Sequence, residues 1–217
     1  MTRTPLMLLP AMGCDGQLWA RQIMDLGDVA EPEFGDLSQD GTIAAMASRV
    51  LADAPARFAV AGVSLGGYVA LEVLRQAPGR VVRIALFGTR ASMEARARSV
   101  ADQGSIATAP HADPQLSTIV SGPAAAMAER VGPVVFARQQ RALLARPDIA
   151  DAIAAIRVPT LVAVGDRDRI CTPDDALALA KRIPHAHFHM LRSCGHLSPM
   201  ERPGEVTMLL RRWLAGG

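Results

Sequence analysis

Aromatic side chains are scarce in this chain: of its 217 residues only 4% are Phe, Trp or Tyr, while half are apolar. A core built here must be filled mainly by Ala, Val, Leu, Ile and Met. Cysteine is scarcer still. Cys14, Cys171 and Cys194 make an odd number with no metal-ligand spacing, which argues against a disulfide framework and fits reduced thiols in a cytoplasm. No apolar run approaches the length of a membrane span. Leu6 to Leu9 resembles the start of a signal-peptide core but stops at Pro10, so neither a targeting nor a membrane-spanning segment is expected. Neither sign of charge is in excess: the net charge is +2, with acids and bases interspersed, and that leaves no footprint for nucleic acid or an anionic membrane. The partner to expect is a small molecule. Nor does any Pro/Gly/Ser-rich linker divide the chain, so residues 1–217 read as one domain.

What the chain does have is an alternation of short apolar runs with helical periodicity. Residues 5–9 (PLMLL), 58–63 (FAVAGV), 81–87 (VVRIALF), 160–164 (TLVAV) and 187–191 (HFHML) read as strands. Residues 29–34 form a weaker one, and Pro32, which lacks a ladder donor, assigns it to the sheet edge. Helices are expected between them: one from near Asp15 that turns Leu18, Trp19, Ile23 and Met24 inward, and others over 42–52, 68–76, 174–182 and 205–214. Strands alternating with helices imply an α/β fold. Its mostly parallel sheet of about six strands is flanked by helices, and ligands meet the carboxyl ends of the strands. Residues 91–157 break the pattern. They show no strand signal and are cut by Pro110, Pro114, Pro123, Pro133 and Pro147, so an insertion of several short helices is expected.

The most informative stretch is residues 57–77, RFAVAGVSLGGYVALEVLRQA. An apolar strand ends in Gly62-Val63-Ser64-Leu65-Gly66, the G-x-S-x-G pattern, and a helical period comes next. Strand, sharp turn and helix in that order push a serine hydroxyl out above the sheet. A serine is a poor nucleophile until a base takes its proton and a third group orients that base. Two later loops leave the same sheet edge, Gly165-Asp166-Arg167-Asp168 and Ser193-Cys194-Gly195-His196. They offer an acid, Asp166 or Asp168, and a histidine. The alternating row His185, His187 and His189 shares one face of a strand, but no carboxylate or thiolate is evidently placed to complete a coordination shell. Neither metal nor cofactor is assigned.

Four segments, LLPAMGCDGQLW, AGVSLGGYVALE, VPTLVAVGDRDRICTP and CGHLSPMERP, resemble the signatures of the α/β-hydrolase superfamily, and in particular of small bacterial carboxylesterases and enol-lactonases. Together they span nearly the whole chain. By position the resemblance implies that Ser64 is the nucleophile, His196 the base and Asp168 the acid that holds the imidazole, in the family's chain order. The family's G-x-x-D pattern selects Asp168 over Asp166. Some relatives carry the acid after the preceding strand, where this chain has Gly88. The implied oxyanion donors are the backbone N–H groups of Leu65 and Met12, each worth about 3 kcal/mol in such sites. Pro10-Ala11 stands where the family has His-Gly, so a glycine is missing from that loop. Two antiparallel strands that usually precede this point are missing too. The insertion over 91–157 occupies the place of the family's helical cap, and Met93, Met127 and Phe136 are its candidates for the pocket wall. The implied activity is hydrolysis of small carboxylic esters through an acyl-enzyme, without a cofactor. A lactone or thioester could be opened by the same groups, and a non-catalytic ligand-binding module on a hydrolase scaffold is the alternative from a different class.

Overall fold

Alternation within the strands decides the layers. The computed structural model describes residues 3–91, 122–146 and 153–216. Its path runs β1 (Thr4–Leu9), α1 (Ala20–Asp25), β2 (Ala30–Phe34), α2 (Ile43–Asp53), β3 (Phe58–Val63), α3 (Leu65–Gln76) and β4 (Val81–Phe87). It continues through α4 (Pro123–Leu144), β5 (Thr160–Gly165), α5 (Pro173–Arg182), β6 (His187–Leu191), α6 (Ser198–Glu201) and α7 (Pro203–Ala215). Met7 and Leu9 of β1, Val60 of β3 and Leu86 of β4 join one apolar cluster with residues of α2, α3 and α5. Their strand neighbours Leu6, Leu8, Ala61 and Phe87 join a second cluster with Leu18, Trp19 and residues of α7. Both faces of the central strands β1, β3 and β4 are therefore dry, which is the condition under which parallel strands are stable, while edge strands β2 and β6 keep exposed residues.

The six strands lie in the order β2-β1-β3-β4-β5-β6, and every neighbouring pair is parallel. β2 is an edge strand, as Pro32 implied. The chain leaves β1 toward β2 and returns to the other side of β1 as β3, so the strand order reverses between β1 and β3. A crevice opens at such a reversal, at the carboxyl ends of the strands. Register brings those ends level: Leu9 pairs with Gly62, Val63 with Phe87, Phe87 with Ala163, and Gly165 with Leu191.

One expectation changes. The segment after Asp15 opens with a 3₁₀ turn over Gly16–Trp19, capped by the Asp15 carboxylate accepting from Gln17 N–H at 2.9 Å, and only then becomes helical. The tighter turn shifts the phase of α1 behind it. Met24 is consequently 76% exposed, and Gln22 takes the inner position, donating to the Pro199 and Pro203 carbonyls. In the insertion, α4 consists of two helical stretches that meet at Gly132, where the sequence placed a break; residues 92–121 and 147–152 lie outside the described residues. Gly132 (φ 76°, ψ 161°) leaves helical geometry between them, and Pro133, which has no N–H to give, starts the second stretch. Among the described residues no helix is long and apolar enough to cross a membrane.

Candidate active site

Ser64 sits between β3 and α3 with φ 52° and ψ −110°, a conformation that costs a non-glycine residue strain and persists only where the surroundings enforce it. Its N–H donates to Phe87 O at 2.9 Å, extending the β3–β4 ladder, and its carbonyl accepts from Gly67 N–H at 2.9 Å as the helix begins. Gly66 is required by a close approach. A β-carbon there would lie 2.4 Å from Leu9 O and 2.8 Å from Pro10 O, so only glycine lets the loop after β1 pass against the serine turn. Leu65 is the first residue of α3, where a backbone N–H has no partner within the helix.

The loop after β1 is held from several sides. Trp19 Nε1 donates to Leu9 O at 3.0 Å, and Cys14 N–H to Ala11 O at 3.1 Å. Gly13 takes φ +70°, and its N–H donates to the side-chain oxygen of Gln139 at 2.9 Å. The glycine missing before Met12 is thus matched by one directly after it, and the loop turns there. Phe136 covers the turn: a β-carbon on Gly13 would meet the Phe136 ring at 3.2 Å. Gln139 is 1% exposed and donates in turn to Leu37 O at 3.1 Å.

Asp168 and His196 come together across the ends of β5 and β6. His196 Nδ1 lies 2.8 Å from Asp168 Oδ2, with both residues buried, and since an ionised carboxylate only accepts, Nδ1 carries the hydrogen and Nε2 is left as the acceptor. The other carboxylate oxygen takes the N–H groups of Ile170 and Cys171, each at 2.9 Å. Gly88 backs the pair, since a β-carbon there would stand 3.0 Å from the imidazole Cε1. Asp166 has another place. Its Oδ1 accepts from Cys194 N–H at 3.0 Å, and backbone donors of Cys194 and Ser193 hold its carboxyl below the usual range. Asp166 therefore ties the two loops together but does not meet His196. Glu201 grips the histidine loop on either side of the imidazole, accepting from Gly195 N–H at 2.5 Å and Leu197 N–H at 3.0 Å.

A cavity beside Ser64 is lined by Tyr68, Gly88, Arg90, Leu143, Arg146 and neighbouring residues. Neither Met127 nor Phe136 lines it. Met127 is fully buried in the cluster that holds Leu18 and Trp19, and Phe136 lies over Gly13; Met93 falls outside the described residues. The three cysteines are free and buried. Burial, together with nearby carboxylates, pushes the Cys14 and Cys194 thiols up to about 12 and raises that of Cys171 well above its ordinary value. His185 and His187 are exposed, and His189 Nε2 lies 3.1 Å from Glu205 Oε1. No three of His, Cys, Asp or Glu are gathered as a metal site among the described residues.

Sequence reading missed Gln139, Glu201 and Arg90. Only Glu201 carried a local signal, five residues beyond His196 within CGHLSPMERP.

The sequence model described as the alpha/beta hydrolase family matches residues 8–208. Across the whole of both chains, the protein is 26% identical to the pimeloyl-[acyl-carrier protein] methyl ester esterase of Aromatoleum aromaticum. A shorter match, 34% over 67 residues, is to the proline iminopeptidase of Lactobacillus helveticus, and it covers 31% of this chain and only 22% of that protein. Among solved structures, a malate-bound thermophilic esterase from Thermogutta terrifontis is 27% identical with a TM-score of 0.80, covering 99% of this chain and 90% of the other. The enol-lactonase from Burkholderia xenovorans LB400 is similar in fold, with a TM-score of 0.79 at 23% identity over 99% of this chain and 92% of that one.

Proposed function

The chain belongs to the alpha/beta hydrolase family, and from that premise we propose that it is a serine hydrolase that cleaves small carboxylic esters through an acyl-enzyme. The buried 2.8 Å contact between His196 Nδ1 and Asp168 Oδ2, at the sheet edge where Ser64 is presented, carries the reading. In the first half-reaction Ser64 Oγ attacks the ester carbonyl while His196 Nε2 takes its proton. The Met12 and Leu65 N–H groups receive the oxyanion. Collapse of the tetrahedral intermediate expels the alcohol, which leaves with the proton from His196. Water then attacks the acyl-enzyme by the same route, and the free acid departs. Asp168 holds the imidazole in the tautomer that accepts at Nε2 and stabilises the imidazolium that forms. No step calls for a cofactor.

The relative matched over its whole length is a methyl ester esterase, which favours an ester over a peptide substrate. A lactone would be opened by the same steps, its alcohol remaining on the acyl chain, and the enol-lactonase neighbour shares the fold that would do so. Labelling with a fluorophosphonate tests the chemistry: the adduct is expected on Ser64, and Ser64→Ala should lower kcat roughly 10⁴-fold or more. An adduct on another residue, or near wild-type turnover in the variant, refutes the assignment. A series of p-nitrophenyl esters beside a panel of lactones then separates the two substrate classes.

A further inference from the structure

The cavity at Ser64 has a charged wall. Arg90, two residues beyond Gly88 at the end of β4, and Arg146, just beyond α4, both line it. The Arg146 guanidinium stacks 4.3 Å over the Tyr68 ring and donates to Leu143 O at 2.8 Å. Arg90 is placed differently. Its side chain is only 10% exposed, and the nearest acid, Asp175, has its oxygen at 3.9 Å, outside hydrogen-bond distance. That same oxygen already accepts from the Thr172 N–H at 3.1 Å and the Thr172 hydroxyl at 2.9 Å, in the capping box that begins α5. The other acid nearby, Asp168, has both oxygens engaged by His196, Ile170 and Cys171. Arg90 thus brings five N–H donors to the cavity wall with no hydrogen-bond acceptor among the described residues. Its charge is balanced by Asp175 at ion-pair distance, and its hydrogen-bond donors remain open toward the cavity for a ligand to meet.

We propose that Arg90 is the seat for a carboxylate on the substrate, so that the preferred ester or lactone is one whose acyl chain ends in a second, free carboxylate. This rests on Ser64 being the nucleophile of a hydrolase. The planar fork of arginine matches the two oxygens of a carboxylate, and a bond of this kind gains strength where water is thin. Ser64 and Arg90 line one cavity, which puts a group that recognises carboxylates on the same wall as the proposed nucleophile.

Two p-nitrophenyl esters of equal acyl length provide the test, the glutaric monoester, which ends in a carboxylate, and the pentanoate, which ends in a methyl group. In the wild type kcat/KM for the glutarate ester should exceed that for the pentanoate ester. Arg90→Gln should reduce this ratio roughly 10- to 100-fold, the value of one charge-assisted hydrogen bond, while Arg90→Lys keeps part of it. A ratio at or below one in the wild type, or one that Arg90→Gln leaves unchanged, overturns the proposal. Calorimetry with glutarate covers the case in which neither ester is turned over. Binding by the wild-type protein that weakens in Arg90→Gln or Arg90→Lys supports the carboxylate seat while the hydrolase reading fails; absence of binding sinks the seat. Turnover of the pentanoate ester alone leaves the hydrolase standing and removes the seat.

Discussion

The side-chain oxygen of Gln139 accepts the N–H of Gly13 at 2.9 Å, joining α4 to the loop after β1 across 126 residues of sequence. Both ends of the Gln139 amide are used, the nitrogen on Leu37 O, and the residue is buried. This bond holds the Met12–Gly13 peptide, next to the proposed oxyanion donor. Gln139→Leu, which can neither accept nor donate, should therefore lower kcat by about 10-fold or more with a smaller change in KM, since an oxyanion contact strengthens in the transition state. Steady-state kinetics on variant protein shown by circular dichroism to be folded will check it. A change confined to KM would separate Gln139 from the oxyanion loop.

The two aspartates after β5 should behave differently. Asp168→Asn should cost about 10⁴ in kcat, as amides do in place of triad acids, because the imidazole would then be held in the wrong tautomer. Asp166→Asn disturbs the backbone donors of Cys194 and Ser193, away from the imidazole, and should cost far less. Equal losses, or the reverse order, would contradict the pairing of Asp168 with His196.

Raised thiol pKa values predict inert cysteines. Burial is the main cause at Cys14, Cys171 and Cys194, and it keeps all three protonated throughout the neutral range. Native protein should react with a disulfide reagent far more slowly than unfolded protein, and iodoacetamide should not inhibit turnover. In the linkage, folded thiols near 12 against 9.0 unfolded contribute stability present below pH 9 and lost as pH rises toward 12. Rapid titration of a native thiol at pH 8 would contradict the burial.

Acid should weaken the protein through its carboxylates. Burial raises the pKa of Asp15, but hydrogen bonds from Arg130 and the Gln17 N–H outweigh it, so the net shift is down; Glu72 is lowered by Arg75 first and Gln76 after. Depressed carboxylates contribute stability that is present above their ordinary values of 3.8 and 4.5 and is lost as pH falls below them. Tm should hold between pH 7 and 5 and fall below about pH 4. Asp15→Asn, which removes the tie between α4 and the turn before α1, should flatten part of that fall; the effect should be modest, because the Arg130 side chain is half exposed.

Met127 and Phe136 should separate stability from specificity. Met127→Ala empties a fully buried site and should cost about 2–5 kcal/mol of stability, seen in a denaturant titration, with the acyl-length profile unmoved. Phe136→Ala uncovers the Gly13 turn and should change kcat or acyl preference with a smaller loss of stability. A shifted profile in Met127→Ala alone would reverse these roles.

Sequence by itself determined the elements whose cause is local. Apolar runs at strand length, Gly66 beside Ser64, and Pro32 in a weak strand are short-range signals, and the sheet with its edge strand came from them. The presence of Ser64, Asp168 and His196 at strand ends was legible for the same reason, since each lies in a motif of a few residues. The contact between Asp168 and His196 needed the fold, because it depends on β5 and β6 lying in register with Gly165 opposite Leu191. Tertiary structure alone decided the rest. A 3₁₀ turn rotated Met24 outward and Gln22 inward, a change of phase that periodicity does not carry. Gln139 was one polar residue in a helix until the Gly13 and Leu37 backbones were brought to it. Arg90 was one of many arginines until folding buried it on the cavity wall at Ser64 with its donors free of hydrogen bonds among the described residues. Burial and the supply of partners are properties of packed surfaces, and they are set by residues far away in the chain.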